Sequence, residues 1–299
     1  MKTSIGMVGI GLMGHGIARN LVLHGHPLVV LEHVGNQPLD ALKAAGVTTA
    51  STAAALAAGV DIVILCVTGS SEVDAVLTGQ GGVLQGLRTG AVVIDCSTAV
   101  PSSTERMAQA VQAAGGRFAD APMTRTAKEA HAGRLNLLVG CDAALFDEIH
   151  PVLACFAENI TRVGPVGAGR RMKLLHNSVS LGFVALLAEA AACAQRAGIA
   201  PEVFVEVLGK GGGAGVALER LKPYLLSQDT SGLQFAMANA HKDLGYYTQM
   251  AGDMHAVHTI ADAVHATYAQ AVAQSGPGAL VPQLVSLLAC MPAALPLED

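Results

Sequence analysis

The chain has 299 residues, 52% hydrophobic and 14% charged, with a net charge of −5 and a pI near 6.1. That length and apolar content fit one large or two ordinary domains with a real core, and they exclude a disordered chain. An acidic balance with no basic tract excludes an electrostatic nucleic-acid binder, and the uncharged stretches at 44–60 and beyond Ala263 do not read as membrane spans.

In chain order, residues 4–9 (SIGMVG) read as a short buried strand and 12–24 as the helix after it. Residues 28–32 (LVVLE) are a second strand, 39–46 and 51–59 are helical, and 61–67 (DIVILCV) and 91–95 (AVVID) are strands. A helix is predicted over 101–114, then strands at 116–122, 134–140 and 159–164. Strands alternating with helices predict a parallel, doubly wound sheet covered on both faces. Past about Gly164 no strand pattern recurs. Residues 168–197 read as one long Ala- and Leu-rich helix, followed by helices at 201–210, 217–226, 235–252, 258–276 and 281–290. The expected organisation is an α/β Rossmann-type doubly wound sheet over residues 1–164, then an all-α domain over 165–299. The long helix joins the two.

The six cysteines are scattered, with no CxxC, and read as small reduced core residues. No leader is read ahead of the first apolar strand, so the expected location is cytoplasmic.

Residues 9–14 (GIGLMG) are a GxGxxG between a predicted strand and a predicted helix. Gly9, Gly11 and Gly14, with Leu12 and Met13 between them, let the backbone turn tightly and approach a pyrophosphate. The helix start offers free N–H groups and a positive dipole to that anion. Glu32 ends the next strand, where a carboxylate holds both ribose hydroxyls and repels a 2′-phosphate. The expected cofactor is NAD, with NADP admitted if the neighbouring His33 is protonated.

GAGRRMKLLHN (167–177) places Lys173 and Asn177 four residues apart, on one face of a helix. Most helical lysines are solvated, so this pair alone does not mark an active site. Taken with the other motifs, the chain resembles the β-hydroxyacid dehydrogenase family over nearly its whole length and in the right order. IGMVGIGLMGHGIARNLVLHGH is similar to the family's cofactor signature, DCSTAVPSST to its strand-five turn and DAPMTRTAKEAHAGRLNLLVG to its substrate loop. GAGRRMKLLHN is similar to its catalytic helix, and AHKDLGYY to its C-terminal lysine motif.

The resemblance implies that Lys173 is the acid/base and that Asn177 hydrogen-bonds the substrate. It further implies that Thr98 contacts the cofactor at the end of strand five, that Val67 lines it with Leu65 and Cys66, and that Lys242 reaches it from the helical half. It also implies a homodimer or homotetramer. An ammonium suits this chemistry, because hydride reduction of a carbonyl leaves an alkoxide that needs a proton. Arg170 and Arg171 are nearby cations of unknown direction, His176 is a rival acid/base, and Asp243 reads as structural.

The substrate loop departs from the family pattern. Where Ser-Gly-Gly is usual, this chain has Thr124, Arg125 and Thr126. An arginine puts a fixed fork of donors there, suited to a carboxylate, sulfonate or phosphate, and it is similar to the Gly-Arg-Thr of sulfolactaldehyde reductases. Arg125, Thr124, Thr126 and Asn177 are therefore expected to hold a small anionic substrate. The competing expectation is an ion pair of Arg125 with a nearby acid such as Asp120 or Glu129.

Two other readings compete. His255, His258, Asp262 and His265 recur at helical spacing and are metal ligands by type. Solvated histidines on an Ala-rich helix are the simpler reading, so no metal is expected. Dehydrogenase-like folds also serve as non-catalytic or regulatory dinucleotide-binding modules. Lys173 at the matching position favours an enzyme.

Overall fold

The computed structural model describes residues 2–276 and 278–290. Two compact units divide the chain between Lys173 and Leu174.

The first unit is built on a nine-stranded sheet. Its strands are β1 (Ile5–Val8), β2 (Leu28–Leu31), β3 (Thr48–Ala50), β4 (Ile62–Leu65), β5 (Val92–Asp95), β6 (Arg117–Asp120), β7 (Met123–Thr124), β8 (Leu135–Gly140) and β9 (Ala157–Gly164). The order is β3-β2-β1-β4-β5-β6-β8-β7, with β9 paired to β8. The strands from β3 to β6 are all parallel in the 3-2-1-4-5-6 order of a doubly wound dinucleotide fold. Beyond β6 the sheet becomes mixed, because β8 runs antiparallel to β6 and β7. Between β7 and β8 only the five-residue α7 (Ala127–His131) intervenes, too short a helix for a parallel crossover.

Alternation along the central strands sends side chains to two cores. Ile5, Met7, Ile62, Ile64, Val92 and Ile94 pack on one face with Ile17 and Leu21. Ile17 and Leu21 come from α1 (Leu12–Leu23). Val8, Val63, Leu65 and Val93 pack on the other face with Leu56 and Val111. These two come from α3 (Ala53–Ala58) and α6 (Pro101–Ala113); α2 (Asp40–Ala44), α4 (Ser70–Thr78), α5 (Val83–Gly86) and α8 (Ala143–Leu153) are further helices of this unit. Each fully buried aliphatic side chain contributes about 1.5–3 kcal/mol of transfer free energy. Both faces are apolar, and the strands accordingly read as near-continuous hydrophobic runs.

The long helix α9 (Ala168–Arg196) begins within the first unit. The division falls after Lys173, nine residues beyond the expected boundary at 164/165. The cause is local: one buried acid of the first unit, Asp120, holds the start of α9 by accepting from Gly167 N and Arg170 N. By length and composition α9 is apolar enough to cross a membrane, but half of that apolar window is buried in the fold.

The second unit holds the rest of α9 with α10 (Pro201–Gly209), α11 (Val216–Ser227), α12 (Met237–Asp253), α13 (Thr259–Ser275) and α14 (Leu284–Cys290). No strand is formed among its described residues. Leu181, Leu187, Leu218, Leu221, Met237, Leu244, Tyr268 and Leu284 form its core, and Ala188, Ala240 and Ala271 allow close helix approach. The Tyr268 hydroxyl donates to Leu181 O at 3.3 Å, so burying the ring strands no polar atom.

Candidate active site

The glycine-rich turn has the geometry its spacing predicts. Gly9 directly follows β1 with φ +92°, and a Cβ there would lie 2.2 Å from Cys66 O. A Cβ on Gly14 would lie 1.9 Å from Gly9 O. Both positions therefore exclude a side chain, one by conformation and both by contact. Gly11 differs, because a Cβ there meets nothing within 4 Å. It heads α1, which has no side-chain cap and no acid in its first turn. Leu12 is exposed, and Met13 packs against the core. An uncapped helix start behind an open glycine fits a pyrophosphate.

Glu32 follows β2, with its Oε1 3.4 Å from Lys43 Nζ. Hydrogen bonding to Thr49 and the nearby Lys43 hold its carboxyl below the usual range, so it is ionised at neutral pH. A cavity of about 460 Å³ beside it is lined by Glu32, His33, Val34, Asn36, Gln37 and Leu39. Asn36 Oδ1 accepts from Ile10 N at 3.3 Å, and Gln37 N donates to Ile10 O at 2.7 Å. This loop, which sequence reasoning missed, clasps the glycine-rich turn. The only hint was its polar Gly-Asn-Gln composition after the acid.

At the ends of β4 and β5, Val67 N donates to Ser97 Oγ at 3.0 Å. That bond commits the buried Ser97 to structure and leaves the neighbouring half-buried Thr98 as the other hydroxyl of the turn. Desolvation and the adjacent Asp95 push the Cys66 thiol up to about 12, which removes it as a nucleophile.

Lys173 is buried, and its Nζ donates to Met123 O at 2.7 Å. Thr124 follows, also buried, its Oγ1 accepting from Asn136 Nδ2 at 3.1 Å. Arg125 adopts φ +79°, a left-handed conformation that disfavours any side chain. Its Nη1 donates to Glu158 and to Arg134 O. The anticipated ion pair thus forms, with Glu158 of β9 and not with Asp120 or Glu129. Thr126, expected among the substrate contacts, is the N-cap of α7. Both its N–H (3.0 Å) and its hydroxyl (2.6 Å) donate to Glu129 Oε2.

In the second unit, Asn177 Nδ2 donates to the buried Asp243 Oδ2 at 2.7 Å, and Asn177 Oδ1 lies 3.1 Å from His176 Nδ1. The rival acid/base His176 is thus turned toward Asn177. Lys242 Nζ lies 3.5 Å from Asp243 Oδ1 and 5.7 Å above the Tyr246 ring. Of the residues weighed as metal ligands, His258 bonds Asp262 at 2.7 Å, and His265 stacks on His241 with ring centroids 4.4 Å apart. No group of three or more metal-binding side chains gathers among the described residues.

A 3-2-1-4-5-6 parallel sheet, an uncapped glycine-rich helix start and an ionised acid after β2 define a dinucleotide-binding fold. The family profile for the NAD binding domain of 6-phosphogluconate dehydrogenase matches residues 4–164. That for the NAD-binding domain of NADP-dependent 3-hydroxyisobutyrate dehydrogenase matches residues 167–288. The chain belongs to the β-hydroxyacid dehydrogenase family, and it is an NAD(P)-dependent dehydrogenase or reductase acting on CH–OH groups.

It is 35% identical to 2-(hydroxymethyl)glutarate dehydrogenase of Eubacterium barkeri, over 81% of this chain and 80% of that one. It is 34% identical to 3-sulfolactaldehyde reductase of Escherichia coli, over 90% of each chain. A Mycobacterium tuberculosis 3-hydroxyisobutyrate dehydrogenase structure with L-serine shares the fold, with TM-score 0.85 at 24% identity, covering 96% of this chain and 99% of that one.

Proposed function

We propose that this enzyme interconverts a small anionic β-hydroxyacid, or a related hydroxysulfonate, with its aldehyde or ketone, preferring NAD and admitting NADP, with Lys173 as the acid/base. The observation that carries the reading is the buried Lys173, its Nζ hydrogen-bonded to Met123 O at the entrance to the Thr124–Arg125 loop. The nicotinamide, when bound, supplies or accepts the hydride. Gly9, Gly11 and Gly14 with the α1 start would hold its pyrophosphate, Glu32 its adenosine ribose, and Val67, Thr98 and Lys242 its other end. Lys173 holds the proton that the carbonyl oxygen takes up on reduction, and its neutral amine takes the alcohol proton in reverse. Arg125, Thr124 and Asn177 bind the anionic group and the reacting oxygen. In this reading the substrate anion competes with Glu158 for the Arg125 guanidinium.

We further place the enzyme in the cytoplasm as a homodimer or homotetramer, without nucleic-acid or membrane partners. Six free cysteines accord with a reducing compartment. Met172, Leu175, Val179 and Leu186 leave a heptad-spaced apolar stripe exposed along α9, which accords with a second copy packing there. Sedimentation of the wild type and of Leu186→Glu tests this, and a wild-type monomer would reject it.

The function is tested by following nicotinamide absorbance with NADH and with NADPH against methylmalonate, tartronate and succinate semialdehydes, glyoxylate and sulfolactaldehyde. Turnover of an anionic aldehyde with NADH favoured is expected. Turnover confined to neutral aldehydes would overturn the assignment of the loop.

A further inference from the structure

Arg170 is fully buried three residues before Lys173. Its Nη2 is ion-paired with the Asp95 carboxylate and donates to Asp95 O at 3.1 Å, and its Nε donates to Thr104 Oγ1 at 3.3 Å. Asp95 Oδ1 accepts from Ser97 N at 2.9 Å, and Ser97 Oγ in turn accepts from Val67 N. One unbroken set of polar contacts thus runs from the first turn of α9 to the ends of β4 and β5. On the other side, Asp120 accepts from Gly167 N at 2.7 Å and Arg170 N at 2.8 Å. Three residues beyond Asp120, Met123 O receives Lys173 Nζ. Gly140 and Gly169 make room for this carboxylate, since a Cβ on either would come within 2.4 Å and 2.6 Å of it.

The arrangement is costly. Asp95 and Asp120 are register partners on neighbouring strands, both fully buried; the Arg170 guanidinium pairs with Asp95, while Asp120 takes the Arg170 main-chain N–H. Burial raises the Asp120 carboxyl, while Arg170 pulls it down. Arg170 Nη1 is buried without a hydrogen bond among the described residues. A buried ion set of this kind is a poor way to gain stability compared with apolar packing, and registry is its best-attested use.

We infer that Arg170 is a positioning residue: through Asp95 it registers the helix that carries Lys173 against the strand ends bearing Val67, Ser97 and Thr98. Asp120 fixes the same turn along the helix axis. The group that moves the proton and the turns assigned to the cofactor are thereby held in one ionic frame.

This inference rests on Lys173 as the acid/base, so Lys173→Ala is measured in parallel. Arg170→Gln keeps a donor toward Asp95 O and removes the charge. It should lower kcat by roughly 10–100-fold, as small misplacements of catalytic groups do, with KM for NADH and for the aldehyde within about two-fold. Arg170→Lys, which restores the charge opposite Asp95, should recover a substantial part of the loss. Thr104→Val, nearly isosteric, removes one anchor, and it should lower kcat in the same direction even if Arg170→Gln does not fold. Folded Arg170→Gln, or Thr104→Val, with wild-type kcat would overturn the inference. If Lys173→Ala keeps its turnover, the acid/base reading fails instead, and the two failures are distinguishable.

Discussion

Lys173 Nζ sits 2.7 Å from the carbonyl oxygen of Met123, with the lysine side chain buried. This bond ties the first turns of α9 to the residue just before Thr124 and Arg125. An ammonium held by a main-chain carbonyl has a fixed position beside the loop, whereas a lysine on a solvated helix face samples many rotamers.

The glycine-rich turn separates folding from cofactor binding. Gly14→Ala drives a methyl into Gly9 O and should give little folded protein. Gly11→Ala meets no protein atom, so its Tm should match wild type, while Kd for NADH rises roughly ten-fold or more as the methyl fills the pyrophosphate approach. Fluorescence titration with NADH checks this. Unchanged affinity would remove the turn from the cofactor site.

Glu32 is ionised at neutral pH under the influence of Thr49 and Lys43. Glu32→Gln keeps the shape and removes the charge. The ratio of kcat/KM for NADPH over NADH should rise by roughly ten-fold. As pH falls through the depressed carboxyl pKa, the wild-type preference for NADH should weaken in the same direction.

Arg125 combines a left-handed backbone with a half-exposed ion pair to Glu158. Arg125→Gly relieves strain of about 1 kcal/mol and gives up a pair worth about 0–1 kcal/mol, so stability should change by no more than ~1 kcal/mol. KM for the anionic substrate should rise ten-fold or more, by loss of a charge-assisted contact. Glu158→Gln should lower KM, because it frees the guanidinium. Unchanged KM in both variants would show that Arg125 serves only the fold.

Only Cys193 and Cys290 of the six thiols are exposed, while burial pushes Cys66 up to about 12 and Cys96 well above its ordinary value. A neutral-pH thiol titration of native enzyme should find no more than two fast-reacting groups, with activity retained.

Much of this was legible in the sequence, for reasons that can be named. β1, β2, β4 and β5 announce themselves because strands buried on both faces are continuous apolar runs, and α9 because its apolar period persists for 29 residues. β3 and β7 have three and two residues, too few for a period, and the reversal at β8 depends on where β7 pairs. At the site, Gly9, Gly14 and Glu32 carry backbone and charge signatures that survive without coordinates. The partners of Arg125, Thr126 and Arg170 do not. Glu158 lies 33 residues from Arg125, and Asp95 lies 75 from Arg170. Arg170 and Arg171 look alike as a pair of adjacent letters. Yet one is fully buried against Asp95, and the other reaches Glu105 in solvent.

The most direct test is single-turnover and steady-state reduction of an accepted anionic aldehyde by wild type and Lys173→Ala, with NADH affinity measured on both. The account predicts that Lys173→Ala binds NADH as wild type does and loses roughly 10²–10⁴-fold in kcat. Retention of wild-type kcat by a folded Lys173→Ala would contradict it.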